Sequence, residues 1–154
     1  MKKKEFRSTC AIAVSVDLLG DKWSLLILRD MLLHRKSTFK EFLESKEKIA
    51  TNILTNKLQF LMKTGFIEKL NPAGTKKSTR YIATRKGICV LPLIIELYLL
   101  SIDSIDESVF NPMQIAIKAE IKSDRLLFEN TRRERYITFL ETLQNAKIEQ
   151  QKSL

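Results

Sequence analysis

The sequence predicts a mainly α-helical protein with one small β-hairpin and further helices after it. Three observations indicate this fold class. Apolar residues recur at helical spacing in several separate segments of the 154 residues. The pattern changes to strand-like alternation once, around residues 66–84. Hydrophobic residues make up 44% of the chain, which is normal for a soluble globular protein.

The first three predicted helices are short and are separated by polar or glycine residues. Residues 10–19 form an apolar helix that Gly20 ends. In the second helix, residues 23–33, apolar side chains cover most of the circumference, so we expect this helix to be central and buried. The polar stretch HRKST then leads to a short third helix, residues 39–43.

The fourth predicted helix, within residues 49–64, has two contrasting faces. One is an apolar stripe, and the other consists of short hydrogen-bonding side chains with one lysine and no carboxylate. An ordinary solvated face would more often mix Glu with Lys. Asn and Gln pair with adenine in a major groove, and Thr meets the thymine methyl. Gly65 ends this helix. The stripe is Ile49, Ile53, Leu54, Leu58, Leu61 and Met62, and the polar face is Thr51, Asn52, Thr55, Asn56, Gln59 and Lys63.

A β-hairpin and a very apolar helix are predicted next. Two short strands flank the basic loop NPAGTKKS, and TRYIAT forms the second strand. Residues 84–102 then form one helix that is apolar nearly all round, with Pro92 in its interior, where we expect either a kink or the loss of one backbone hydrogen bond. One small domain cannot bury that much apolar surface, so a partner subunit is the simplest cover.

Residues beyond the Asn111-Pro112 break form one or two amphipathic helices over 113–150. We therefore divide the chain into a winged-helix and dimerisation domain, residues 1–105, and a C-terminal helical extension, residues 106–154.

Positive charge is concentrated in the middle of the chain. The formal net charge is +9, and residues 46–86 alone contribute +8, from ten Lys and Arg against two Asp and Glu. Residues 87–154 are slightly acidic, with eight against ten. This focus around the fourth helix and the hairpin is the electrostatic footprint expected for a polyanion, and it argues against a merely basic surface.

The two cysteines, Cys10 and Cys89, have neither metal-ligand spacing nor a disulfide framework. We therefore expect a reducing compartment, no metal and no cofactor. The N-terminus lacks the apolar core of a signal peptide. No stretch approaches the roughly 18 uninterrupted apolar residues of a membrane span. A cytoplasmic protein without membrane attachment is the expectation.

The element order is that of a winged helix-turn-helix followed by a dimerisation helix. Over residues 10–105 the chain closely resembles the HxlR-type transcriptional regulators, a branch of the MarR-like winged-helix group. The matching segments are Cys10, LLGDKWSLLILRDML at 18–32, FKEFLES at 39–45, IATNILTNKLQFLMKTGFIEK at 49–69 and RYIATRKGICVLPLI at 80–94. The chain departs from the family pattern at four positions: Ala11 replaces a proline, Ala50 replaces a capping serine, and Asn56-Lys57 replaces an arginine-containing pair.

The resemblance implies a homodimer that binds a pseudo-palindromic operator in double-stranded DNA and represses or activates a nearby gene, with repression as the expectation. The polar face of the fourth helix would meet base edges and backbone, and its lysines would meet phosphates. The basic residues of the hairpin would track the phosphates or reach the minor groove. For each residue the alternative is plain solvation. The base-edge candidates are Thr51, Asn52, Thr55, Asn56 and Gln59; the phosphate candidates are Lys57, Lys63, Lys76, Lys77 and Arg80.

Cys10 is a candidate sensor of oxidants or electrophiles, because the cysteine at the matching position has that role in some relatives. Basic neighbours such as Lys4 and Arg7 would lower its pKa and favour the thiolate. The alternative is an unreactive thiol packed at the dimer interface. Cys89 is expected to be a small buried hydrophobe, and Trp23 is expected to be a core residue and not a ligand-stacking ring.

Two competing classes of function remain open. An enzyme is disfavoured by a single histidine, four glycines, and the lack of a phosphate-cradling loop or nucleophile motif. The second competing class is a winged helix that serves only as a protein-interaction module, without specific DNA binding. Salt-dependent DNA binding separates these classes from a DNA-binding regulator.

Overall fold

A computed structural model describes residue 6, residues 8–72, residue 75 and residues 77–152 of the chain. Within that part the fold is mainly helical with one antiparallel hairpin, as the sequence predicts. A short 3-10 turn, Glu107–Val109, precedes the last two helices. The elements are α1 (Ala11–Leu19), α2 (Lys22–His34), α3 (Phe39–Leu43), α4 (Thr51–Lys63), β1 (Ile67–Lys69), β2 (Tyr81–Ala83), α5 (Arg85–Ile88), α6 (Leu91–Ser104), α7 (Pro112–Ser123) and α8 (Arg125–Lys152).

Local hydrogen bonds fix where the central helices begin. The Asp21 carboxylate accepts from the backbone N–H groups of Trp23 and Ser24 and so caps α2. Thr38 and Glu41 form a reciprocal capping box at the start of α3. After α4 the chain turns at Gly65, whose φ of 77° is a left-handed conformation that glycine adopts without strain.

The hairpin is antiparallel and is attached to the α2–α3 connection. Ile67 pairs with Ala83, and Lys69 pairs with Tyr81. On the far side of β2, the Tyr81 N–H donates to the Ser37 carbonyl at 2.6 Å, and Arg80 forms an isolated bridge with Thr38. The loop between the strands therefore extends from a base that α2 and α3 help to hold.

The core is built around α2 and includes the C-terminal helices. Leu28 and Met31 on α2 and Leu54 and Leu61 on α4 are completely buried. Three side chains of α7 and α8 belong to the same apolar cluster: Ile121, Phe128 and Tyr136. Part of the surface that the apolar helix was expected to bury against a partner is thus covered by α7 and α8 of the same chain.

Two predictions about the apolar segment were wrong. It is not one kinked helix, because the chain turns at Cys89 and Val90 between α5 and α6. Pro92 lies in the first turn of α6, where an N–H has no intrahelical acceptor, so the proline costs no hydrogen bond. Cys89 is exposed rather than buried, because it lies at this turn.

The segment Arg85–Ser104 is, among the described residues, long and apolar enough to cross a membrane by length and composition alone. It contains the break between α5 and α6. Five of its apolar residues, Val90, Leu91, Ile94, Ile95 and Ile102, are buried inside the fold. The segment is therefore apolar because one side of α6 packs in the core, while Leu93, Leu97 and Leu100 on its other side are exposed.

Candidate DNA-binding surface

Helix α4 has the two faces that its sequence predicts. Leu54, Leu58 and Leu61 are buried against the core. The structure places all five base-edge candidates on the exposed side, and no acidic residue occurs in the helix. These exposed residues are Thr51, Asn52, Thr55, Asn56 and Gln59.

The amide side chains on this face are available for contacts outside the chain. Asn52, Asn56 and Gln59 make no side-chain hydrogen bond to another residue of the described structure. Thr55 differs, because its hydroxyl donates to the Thr51 carbonyl at 2.9 Å. The hydroxyl proton of Thr55 is therefore already used, which leaves its methyl group and the oxygen lone pairs for a ligand.

The start of α4 lacks a side-chain cap. Ala50 occupies the N-cap position and supplies no acceptor for the first N–H groups. Buried Ile49 anchors the chain just before it, and Lys48, at φ 52°, forms the turn. The positive end of the helix dipole is thus left to solvent or to an external anion.

The five basic candidates have different surroundings. Lys63 and Lys77 are exposed. The Lys57 ammonium lies 3.1 Å from the Asp21 carboxylate, and the Arg80 guanidinium donates to the Ser37 hydroxyl at 2.7 Å. Both of these cations therefore also join elements of the fold. Lys76 lies outside the described residues.

Four further exposed lysines, which are not among the predicted phosphate contacts, lie near this surface. Lys46 and Lys48 are exposed in the turn before α4, and Lys69 is exposed on β1. Lys40 on α3 is also exposed and lies 3.7 Å from Glu44. The signal for these first three was their place in the basic segment 46–86. The structure puts Lys46 and Lys48 between α3 and α4 and puts Lys69 at the end of β1, where the loop of the hairpin begins.

A buried polar cluster, which the sequence pattern does not reveal, fixes the turn before α4 to α2. Asp30, only 2% exposed, accepts from Arg29 and Lys36 at 2.7 and 2.9 Å and from the Ser45 hydroxyl. Burial alone would raise the pKa of Asp30, but hydrogen bonds from Lys36, Ser45 and Arg29 outweigh it and lower the pKa. The one available signal was a charged pair, Arg29-Asp30, inside an otherwise apolar helix.

Arg29 extends this cluster to Glu47. Its guanidinium donates to both carboxylate oxygens of Glu47, at 2.7 and 3.0 Å. This bidentate contact lowers the pKa of Glu47 to about 2. The turn between α3 and α4 is thus held to α2 by an ionised carboxylate.

Cys10 lies exposed at the N-cap of α1. The backbone N–H groups of Ala13 and Ile12, in the first turn of α1, lower the pKa of the Cys10 thiol. Lys4 and Arg7, which were expected to have this effect, lie outside the described residues. Trp23 is partly buried against the core, with the Lys22 ammonium 4.6 Å from its ring centroid.

Comparisons with known proteins agree with this geometry. The HxlR-like helix-turn-helix family matches residues 18–108, which is more than half of the chain. A curated relative, the uncharacterized HTH-type transcriptional regulator sll1512 of Synechocystis sp. (strain ATCC 27184 / PCC 6803 / Kazusa), is 29% identical over 98 residues, covering 64% of this chain and 72% of its own length.

Two solved structures show the same fold. PA1607, a candidate transcription factor, superposes with a TM-score of 0.58 at 29% identity, covering 69% of this chain and 70% of PA1607. The oxidized form of the redox regulator HypR superposes with a TM-score of 0.56 at 22% identity, covering 63% of this chain and 99% of HypR. Both matches cover about two thirds of the present chain, so part of it has no counterpart in them.

Proposed function

The chain belongs to the HxlR-like helix-turn-helix family of transcriptional regulators, and from this premise we propose that it is a sequence-specific repressor. It binds as a homodimer to a pseudo-palindromic operator in double-stranded DNA. Residues 1–105 supply DNA binding and dimerisation, and residues 106–154 are a C-terminal extension. The protein acts in the cytoplasm.

One observation carries this proposal. The exposed face of α4 holds amide and hydroxyl side chains without a carboxylate, and exposed lysines border it on the preceding turn, at its C-terminal end and on the hairpin. Amides read base edges through paired donors and acceptors, whereas lysines bind phosphates without regard to sequence. The surface therefore combines amide side chains that can recognise bases with lysines that can bind phosphates.

Dimerisation is supported by an uncovered apolar stripe on α6. Leu93, Leu97 and Leu100 recur at helical spacing and are exposed, Leu100 by 66%. On α1, Ile12 and Val16 are exposed by 76% and 60%. Such a surface in a protein of this size marks an interaction site, and a second copy would cover both helices by symmetry.

The experiment that tests this function is selection of DNA from a random pool by the purified full-length protein. We expect an inverted repeat whose half-sites lie about one helical turn, or a multiple of it, apart. Light scattering at micromolar concentration should give the mass of a dimer. Selection of no sequence, with no salt-dependent DNA affinity, would favour the protein-interaction module instead. Transcription from a promoter carrying the selected site tests the sign of regulation.

A redox or electrophile response through Cys10 is a second candidate property. It is supported by the exposure of the thiol and by its lowered pKa, and the fold itself is shared with a redox regulator, HypR. Modification at the start of α1 would add bulk beside the proposed dimer contact and alter the spacing of the two α4 helices.

The test compares DNA affinity before and after mild diamide treatment in the native protein, Cys10→Ser and Cys89→Ser. Cys89 is a suitable control because it too is exposed. We expect the native protein and Cys89→Ser to lose affinity and Cys10→Ser to be insensitive. A response by Cys10→Ser equal to that of the native protein would make Cys10 an unreactive surface thiol.

A further inference from the structure

Helix α8 lies beyond the region that matches the family, and it packs back onto the hairpin. The Ala83 N–H on β2 donates to the Tyr136 hydroxyl at 2.8 Å. The Lys147 ammonium donates to the Leu70 carbonyl, just after β1, also at 2.8 Å. One helix therefore contacts the hairpin both at β2 and just after β1.

The Tyr136 contact completes the outer edge of β2. Alternate N–H groups of a strand point to opposite edges. The Tyr81 N–H on the outer edge is taken by the Ser37 carbonyl, and the next one, of Ala83, is taken by Tyr136. Ala83 is 2% exposed and Tyr136 is 1% exposed. Water therefore cannot easily replace the tyrosine as acceptor, and the N–H would be left unpaired without it.

The Lys147 contact lies where the basic loop of the hairpin begins. Positions 136, 140, 143 and 147 share one face of α8, because they are spaced at three and four residues. Leu140 and Leu143 on this face are partly buried, so the lysine lies at the end of a packed stripe. The loop that carries Lys77 begins immediately after the Leu70 carbonyl.

A hairpin of two three-residue strands is not stable by itself and needs packing against other elements. We propose that α8 holds the wing, residues 67–72 and 77–83, at the angle at which Lys77 meets DNA phosphates, with Tyr136 and Lys147 as positioning residues. This inference rests on the proposed DNA binding. It gives the C-terminal extension a role in affinity rather than in base reading.

The decisive variant is Tyr136→Phe in the full-length protein. Burial raises the pKa of Tyr136 to about 12, although the Ala83 N–H acts in the opposite direction, so the hydroxyl is neutral at physiological pH. The substitution therefore leaves the net charge unchanged. Any decrease in the slope of log affinity against log salt must then come from lost phosphate contacts elsewhere, at about one unit per contact.

We expect Tyr136→Phe and Lys147→Met to weaken binding several-fold on the selected operator and on random DNA alike. Amide hydrogen exchange in β2 should become faster in both variants. Two controls on α8 remove the same groups at exposed positions: Thr142→Val lacks a hydroxyl, and Lys152→Met lacks an ammonium. Both controls should bind as the native protein does. Combining Tyr136→Phe with Lys77→Ala should give less than the sum of the two losses, because both act through the wing.

The outcomes separate this inference from the proposed function. If the native protein binds DNA but Tyr136→Phe and Lys147→Met bind with native affinity and salt slope, α8 does not position the wing and the inference is overturned. If the native protein shows no salt-dependent DNA binding, the proposed function fails and this inference fails with it. Should Tyr136→Phe not fold, Lys147→Met alone decides, since its side chain is at the surface end of the stripe.

Discussion

Helix α4 and the wing form the two parts of the proposed DNA-binding surface, and the fold holds them in different ways. Helix α4 is anchored through its own apolar face, with Leu54, Leu58 and Leu61 in the core. The wing also buries Ile67 and Ala83 in the core, but its outer edge and the start of its loop are held by single hydrogen bonds to Ser37, Tyr136 and Lys147, which are remote in sequence. Apolar burial is non-directional, whereas a hydrogen bond needs a defined geometry and is lost when one of its two groups is removed.

Truncating the anchor of α4 should have the largest effect. Leu58→Ala removes a buried side chain and leaves a cavity, which typically lowers the free energy of unfolding by about 2–5 kcal/mol. Denaturant unfolding measures this change. Leu126→Ala is the matched control, since Leu126 is exposed on α8, and its effect should stay within about 0.5 kcal/mol. Equal losses in the two variants would mean that α4 is not anchored by this face.

Removing an amide from the exposed face of α4 should affect base reading and not stability. Asn52→Ala or Asn56→Ala should cost about 1–3 kcal/mol of binding at the selected operator and relax base preference, if that side chain makes a bidentate contact. Binding to random DNA should be unchanged. Asn145→Ala, at an exposed position on α8, serves as the control. Equal losses on both DNAs for both variants would remove these residues from base reading.

Removing a lysine from the wing should have the opposite pattern. Lys77→Ala should weaken all DNA sequences alike and reduce the salt slope by about one unit for one lost phosphate contact. The same is expected of Lys76→Ala. Affinity measured at several salt concentrations on operator and random DNA gives both quantities. A sequence-dependent loss, or an unchanged slope, would show that the wing lysines do not bind phosphates.

The sequence predicts the parts of this molecule that depend on local patterns, and it does not predict contacts between residues that are distant in sequence. Periodicity located α1 to α4 and the hairpin, because each of these patterns is local. It could not show that Lys57 pairs with Asp21 or that Arg80 bonds to Ser37, because these partners are tens of residues apart. The turn at Cys89 and Val90 was also missed, because the apolar pattern continues through it and Pro92 was read as an interior residue.

The extension shows the same limit. Its helical pattern is clear in the sequence, but nothing in the local pattern shows that Tyr136 reaches β2.

Cys89 was expected to be buried because its neighbours are apolar, and it is exposed because the chain turns there. Helical periodicity predicts which residues of α4 are exposed. It does not predict the contacts that orient the helix, such as those of Asp30.

The smallest expected effect concerns the turn that leads into α4 and depends on pH. Arg29 holds the pKa of Glu47 at about 2, below its ordinary value of 4.5. A carboxyl with a depressed pKa in the folded state stabilises the fold above its ordinary pKa, and this contribution is lost as the pH falls from about 4.5 towards 2. Because the Glu47 side chain is 36% exposed, solvent screening limits the contribution to about 1 kcal/mol or less. The native protein should therefore be more stable than Glu47→Gln at pH 7, and the difference should vanish near pH 2.

Unfolding by urea across this pH range measures the difference in stability, with Glu44→Gln as a control for removing an exposed carboxylate near α4. A difference between native protein and Glu47→Gln that does not change with pH would show that the Arg29 contact does not hold the turn, and α4 would then depend on its apolar face alone.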